Sequence, residues 1–282
     1  MNLESFWLLI TALGNDLIFI AVLALYGWLV RPSGIRALGV AFALSYLTNS
    51  LLKYGLNLPR PFANDPSVAS AAAQATAGGP GLPSGHAQMS AALWGGVAAQ
   101  LRRPWVWAVC LLLVALIAAS RLALHVHYPS DVLVGLLLGA IFAGLAGAGL
   151  TGRGLFAHTF WWPLALLVVA CLLPSSLPDE YSRGLGILAG FWFAAPRYLP
   201  PSCWVGRIGV AVIGLLTVLA VYLALGALAG LLPTVLDGPA RAIRYFALVW
   251  VAIGGVPQLL KIWLRPVEEQ HSASQSLPPL GQ

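Results

Sequence analysis

Charge is what this sequence has least of. Only 9% of its 282 residues are Asp, Glu, Lys or Arg, against 59% that are hydrophobic, where soluble domains carry about 25% charged residues. A surface so poor in charge could not be hydrated. The composition therefore excludes an ordinary soluble globule and makes bilayer the solvent for most of the chain. Acidic groups are the scarcer sign, nine against fifteen basic ones, for a net charge of +6. The basic residues stand singly or in pairs at the ends of apolar runs, a placement that fits topology control and not nucleic-acid binding. Cysteine is scarce as well. Cys110, Cys171 and Cys203 are far apart, odd in number and without metal-ligand spacing, so neither a disulfide framework nor a zinc site is expected. No cluster of carboxylates and histidines is suited to Mg²⁺ or Zn²⁺, and no cofactor is expected. The N-terminus lacks the basic segment of a signal peptide, carrying Glu4 before a long apolar run, and reads as a first membrane helix.

What is present is a series of apolar stretches near the ~20 residues that span a bilayer. About nine are expected, at roughly 5–30, 35–56, 85–101, 104–123, 130–150, 157–174, 184–196, 206–232 and 243–263, the seventh being short. The fold class is thus all-α, a polytopic transmembrane bundle. A catalytic core is expected over 1–150, additional membrane helices over 151–265 and a disordered polar tail over 266–282. With the N-terminus outside, one face receives Arg31, Arg36, Arg102, Arg103, Arg153, Arg197, Arg207, Lys261 and Arg265, and the other Lys53, Arg60, Arg121, Arg183, Arg241 and Arg244. The richer face is the cytoplasmic one. Compactness and a bias to small residues suggest a bacterial inner membrane. The connection over 57–83, rich in Ala, Gly, Pro and Ser, is either a flexible lid or a linker.

Three polar clusters interrupt the apolar background: Lys53 to Arg60-Pro61, then Pro83-Ser84-Gly85-His86, then Ser120-Arg121 followed by His127 and Asp131. All three lie at helix ends on the outer face, so they can converge at one depth. Ionisable groups near a bilayer are costly and are functional candidates by default. Lys53, Arg60 and Arg121 supply three cations, the arginines as forks that match phosphate oxygens. Ser84-Gly85 opens a helix, whose free N–H groups and dipole favour an anion, and Gly85 lets the backbone approach closely. Together they make a cradle for a tetrahedral oxyanion. His86 and His127 can divide covalent chemistry, one attacking phosphorus and the other managing the leaving-group proton. Pro129 fits a first helical position, which puts Asp131 in the first turn, able to reach Nδ1–H of His127 and leave Nε2 free to attack.

The pattern Lys-x6-Arg-Pro, Pro-Ser-Gly-His and Ser-Arg-x5-His-x3-Asp resembles the type-2 phosphatidic acid phosphatase superfamily of lipid phosphate phosphatases. The motifs span 53–131 and the resembling helical frame about 1–150. The resemblance implies that His127 is the nucleophile that forms a phosphohistidine. It implies that His86 is the general acid and then the base, that Asp131 orients His127, and that Lys53, Arg60, Ser84, Gly85 and Arg121 hold the phosphoryl group without a metal ion. The expected partners are the bilayer and a membrane lipid carrying a phosphate or diphosphate, such as undecaprenyl diphosphate or a phosphatidate-like or sphingoid phosphate. Phosphotransfer, a sugar-phosphate substrate and a non-catalytic lipid-phosphate transporter are the alternatives. The helices after 150 match the resemblance only in number, which is similar to the sphingosine-phosphate phosphatase and glucose-6-phosphatase branches. The sequence carries no signal of oligomeric state.

The remaining polar residues have milder readings. His125 is expected to be locally structural and His158 to lie at the interface. Asn15 and Asp16 are either functional or a buried polar contact with the helix of Asn49 and Ser50. Trp105, Trp107, Trp161 and Trp162 fit an interfacial aromatic belt, and Arg241 and Arg244 helix-end anchors. Gly135 and Gly139 allow close helix packing within the subunit.

Overall fold

A computed structural model describes residues 2–153, 160–174 and 176–265. His158 and the tail over 266–282 lie outside the described residues. The described chain is an all-α polytopic bundle. Its long helices in chain order are α1 (Leu3–Ala12), α2 (Asp16–Leu25), α3 (Pro32–Leu56), then two short ones, α4 (Pro61–Asn64) and α5 (Ala71–Ala75). There follow α6 (Gly85–Leu101), α7 (Pro104–Ala123), α8 (Pro129–Gly147), α9 (Trp161–Leu172), α10 (Asp179–Phe193), α11 (Trp204–Ala229), α12 (Asp237–Trp250) and α13 (Val256–Leu259). Among the described residues five helices are long and apolar enough to cross a membrane, or six if the bent α1–α2 pair is one span. Helices α6, α9 and α10, with 17, 12 and 15 residues, fall short of the ~20 a straight span requires.

Local chemistry sets the helix ends. Pro32, Pro104 and Pro129 stand at the starts of α3, α7 and α8, where a missing N–H costs nothing and φ is already helical. Helices α3 and α6 end on left-handed residues, Asn57 with φ 48° and Arg102 with φ 54°. Two expectations are corrected. The stretch 5–30 is not one helix: it bends by 48° between α1 and α2. Asn15 is the extended cap of α2, and Asp16 opens that helix where the dipole favours an anion. The connection over 57–83 is not a structureless linker: it carries α4, a 3₁₀ turn over Pro66–Val68 and α5. Two arginines hold its far end, as described below.

Helices α6 and α8 approach closely because both present small residues. A Cβ on Gly139 would lie 2.6 Å from the Cβ of Ala91, and one on Gly135 would lie 2.7 Å from the carbonyl oxygen of Ser84. The two glycines therefore pack α8 inside the subunit, as expected, and bring the start of α8 beside the start of α6. The outward face of α8 shows Leu133, Leu137 and Ile141, as a lipid solvent requires. Replacing Gly139 by valine should force the pair apart and destabilise the fold by about 1–3 kcal/mol. Thermal melting of the purified protein in detergent checks this, and an unchanged midpoint would contradict the packing.

The later helices pack on the earlier ones. Gly39 and Gly184 let α3 and α10 approach, with Phe191 over the first and Leu47 over the second. The fully buried Trp28 donates its indole N–H to the Ala252 carbonyl at 2.7 Å. The exposed tryptophans Trp105, Trp161 and Trp162 fit the interfacial belt. Arg241 pairs with Asp179, and Arg244 stacks over Tyr222 with 4.4 Å to the ring centroid, consistent with anchoring.

Candidate active site

Helices α2, α3, α6, α7 and α10, with the connections between helices, form a single cavity of about 480 Å³ that receives residues of all three polar clusters. Lys53, Arg60, Gly85, His86, Arg121 and His127 all line it, together with Asn15, Asp16, Thr76 and Glu180. Lys53 comes from the last turn of α3. Its Nζ would be 3.9 Å from a Cβ on Gly85, so the ammonium stands beside the N-terminus of α6. The start of α6 is fixed by a buried amide network. Asn49 Nδ2 donates to Gln88 Oε1 at 2.9 Å, and Gln88 Nε2 donates to the Ser45 carbonyl at 2.9 Å. The Ser84 N–H donates to the Asp131 carbonyl at 2.9 Å, which ties the second cluster to the third.

His127 follows the turn that ends α7 and is 4% exposed, as is Asp131. Its Nδ1 lies 3.2 Å from Asp131 Oδ2, and the same oxygen accepts the Tyr128 N–H at 3.0 Å. That pairing is the one the spacing predicts: α8 begins at Pro129 and Asp131 sits in its first turn. Burial above all holds the His127 imidazole well below its ordinary value of 6.5. The nearby Asp131 pulls it up, and Arg60, Arg121 and Lys53 push it down. The ring is therefore neutral at pH 7, with a lone pair on the nitrogen that is not bonded to Asp131.

That second nitrogen is not free, which corrects the sequence reading. Arg60 Nη1 lies 2.8 Å from His127 Nε2 and also donates to the Val126 carbonyl at 3.0 Å. Arg60 further donates through Nε to the Gly79 carbonyl at 2.8 Å and through Nη2 to the Gly78 carbonyl at 2.7 Å. Arg121, fully buried, donates to the hydroxyls of Thr11 and Thr76 and, at 3.1 Å, to the Thr76 carbonyl. The two guanidiniums thus clasp the segment 76–79 and make it a wall of the cavity. Thr11, Thr76 and the carbonyls of Gly78 and Gly79 went unnoticed in the sequence, because hydroxyls and main-chain groups in a small-residue loop give no pattern.

Two site residues differ from expectation in detail. Ser84 is fully buried and does not line the cavity; its Oγ has no hydrogen-bond partner among the described residues. His86 points toward the α1–α2 break, with Nε2 3.4 Å from Asn15 Oδ1, and a Cβ on Gly14 would meet its ring at 2.7 Å. Asn15 and Asp16 therefore belong to the site and not to a contact with Asn49 and Ser50. Asp16 Oδ2 accepts from Arg183 Nη1 at 3.1 Å. His125, left-handed at φ 53°, lies outside this cavity and lines a separate one with Trp7 and Leu124, in keeping with a local role.

Chemically, the cavity combines three cations and a helix N-terminus, a neutral imidazole oriented by a carboxylate, and a second imidazole. No group of three or more His, Cys, Asp or Glu suited to a metal occurs among the described residues.

Residues 34–153 match the family model described as the PAP2 superfamily. Among curated proteins the chain is similar to glucose-6-phosphatase 3 of Rattus norvegicus, 35% identical over 168 residues that cover 51% of this chain and 48% of that protein. It is also similar to glucose-6-phosphatase 3 of Mus musculus, 30% identical over 227 residues that cover 70% of this chain and 64% of that protein. The chain thus spans between 48% and 64% of the length of these relatives. No solved structure matches it.

Proposed function

We propose, on the match of residues 34–153 to the PAP2 superfamily model, that the protein is a metal-independent membrane phosphatase that works through a phosphohistidine on His127. The observation that carries this is the His127–Asp131 pair at 3.2 Å, set in the same cavity as Lys53, Arg60 and Arg121. Binding an anion needs the cations alone; an oriented, neutral imidazole beside them is the equipment of a nucleophile.

The reaction follows from the groups in place. The phosphoryl oxygens enter between Lys53, Arg60, Arg121 and the N-terminus of α6, and Arg60 turns its Nη1 from His127 to one of them. Nε2 then attacks phosphorus in line with the ester oxygen. The P–O bond breaks as the P–N bond forms, and His86 gives its proton to the leaving oxygen. His86 next takes a proton from water, which attacks phosphorus, breaks the P–N bond and releases phosphate. Fixed cations stabilise the charge that a metal would otherwise carry.

The active face is extracytoplasmic on the distribution of Lys and Arg. For the alcohol side of the ester, two readings have support. A lipid phosphate is favoured by an apolar crevice that shares Phe19, Tyr46 and Met89 with the active cavity. A sugar phosphate is favoured by the glucose-6-phosphatase relatives. The test is phosphate release by the purified protein, in EDTA, from p-nitrophenyl phosphate, glucose 6-phosphate, phosphatidate and undecaprenyl diphosphate. Turnover of at least one ester with the chelator present is expected. Turnover that appears only when a divalent ion is restored would overturn the metal-independent mechanism, and transfer to an added alcohol without free phosphate would make the protein a phosphotransferase.

A further inference from the structure

The cavity also holds two carboxylates that the phosphate chemistry does not use. Asp16, at the start of α2, and Glu180, in the first turn of α10, both line it. Neither falls within residues 34–153, the stretch that carries the cationic cradle. Asp16 is held by Arg183 at 3.1 Å, yet its side chain remains 60% exposed. Arg183 is itself steadied over the Tyr245 ring, 5.3 Å from its centroid. The ion pair thus fixes the carboxylate without covering it.

Two carboxylates facing a phosphate cavity are unfavourable for a ligand that is phosphate alone, since like charges repel. They are equally poor company for an alkyl chain, which would strip water from carboxylates whose partners, Arg183 for Asp16 and Tyr54 for Glu180, leave oxygens open. The group they suit is one that brings O–H donors, because hydroxyl-to-carboxylate hydrogen bonds are charge-assisted. Size points the same way. The active cavity holds about 480 Å³, whereas the adjoining apolar crevice holds about 60 Å³.

Resting on the phosphatase reading, we infer that Asp16 and Glu180 are specificity-determining residues that recognise hydroxyl groups on the leaving alcohol. The preferred ester is then a phosphate on a polyhydroxy alcohol, either a free sugar or polyol phosphate or a lipid whose headgroup carries the hydroxyls. Arg183 is a positioning residue for Asp16. The helices after residue 153 acquire a role, since α10 supplies both Glu180 and Arg183.

The experiment compares the parent with Glu180→Gln and Asp16→Asn by kcat/KM on paired substrates. Glucose 6-phosphate and glycerol 3-phosphate carry hydroxyls, and p-nitrophenyl phosphate carries none. Phosphatidylglycerol phosphate and phosphatidate form the lipid pair on the same principle. Each variant is expected to lower the ratio of hydroxylated to plain substrate about tenfold, the effect of one charge-assisted hydrogen bond. A fall confined to the soluble pair identifies a free polyol phosphate, and one confined to the lipid pair identifies a headgroup. The two variants lie on different helices, so loss of folding in one leaves the other to decide. Equal loss on both members of each pair, or no change in either ratio, overturns the inference while leaving the phosphatase intact. A parent inactive on every ester would sink the phosphatase reading, and this inference with it.

Discussion

His127→Ala should abolish phosphate release, lowering kcat by about 10⁴-fold or more, the scale on which nucleophile deletions fall. The substitution removes the attacking lone pair and leaves the cradle in place. Binding of inorganic phosphate should therefore survive. It should even tighten, because Arg60 Nη1 no longer has Nε2 at 2.8 Å as a competing acceptor. His86→Ala separates the two half-reactions. With p-nitrophenyl phosphate, whose leaving group needs no proton, the phosphoenzyme should still form, but water attack loses its base. The expected signature is a burst of nitrophenol followed by slow turnover, with acid-labile phosphate on the protein. Burst amplitude and phosphate labelling measure both effects. A His127→Ala protein that keeps turning over would move the nucleophile elsewhere, with His86 the nearest candidate.

The reasons this site was legible in the sequence are specific. In an apolar chain each ionisable residue stands out, and Lys53, Arg60, His86, Arg121, His127 and Asp131 fell at helix ends that spacing could place on one face. The His127–Asp131 contact was readable because Pro129 fixes where α8 starts. The Gly135–Gly139 contact was readable because small residues four apart share a helix face. The break between α1 and α2 was not, since Gly14 and Asn15 are single residues in a run otherwise apolar enough to span. Nor was the order in the 57–83 segment, which depends on Arg60 and Arg121 finding carbonyls at Thr76, Gly78 and Gly79. Hydrogen bonds to main-chain oxygens carry no residue type. The approach of Glu180 to the cavity and of Arg183 to Asp16 was invisible for another reason: it depends on α10 packing against α3 through Gly39 and Gly184, and helix pairing over such a separation leaves no periodic trace.

Asp131→Asn tests the other half of the catalytic pair and should lower kcat by about 10²–10⁴-fold, on the scale of the same exchange in serine-protease triads, with KM little altered. The change conserves shape but not the hydrogen-bond instruction. Asp131 Oδ2 now accepts from both His127 Nδ1 and the Tyr128 N–H, and both are donors that only an oxygen can satisfy. An asparagine oxygen placed there meets the geometry but offers no negative charge. Attack on phosphorus makes the imidazole cationic, and a buried cation without its carboxylate is costly. An asparagine turned the other way presents its NH₂ to Nδ1, which favours the tautomer with the proton on Nε2 and removes the attacking lone pair. Either orientation slows the first step more than the second. The phosphoenzyme should therefore form slowly and not accumulate, the opposite of His86→Ala. Single-turnover kinetics with p-nitrophenyl phosphate distinguish the two variants. An Asp131→Asn protein within a fewfold of the parent would mean that Asp131 serves the α8 cap alone, and that the orientation of His127 is set by Arg60 and the turn that ends α7.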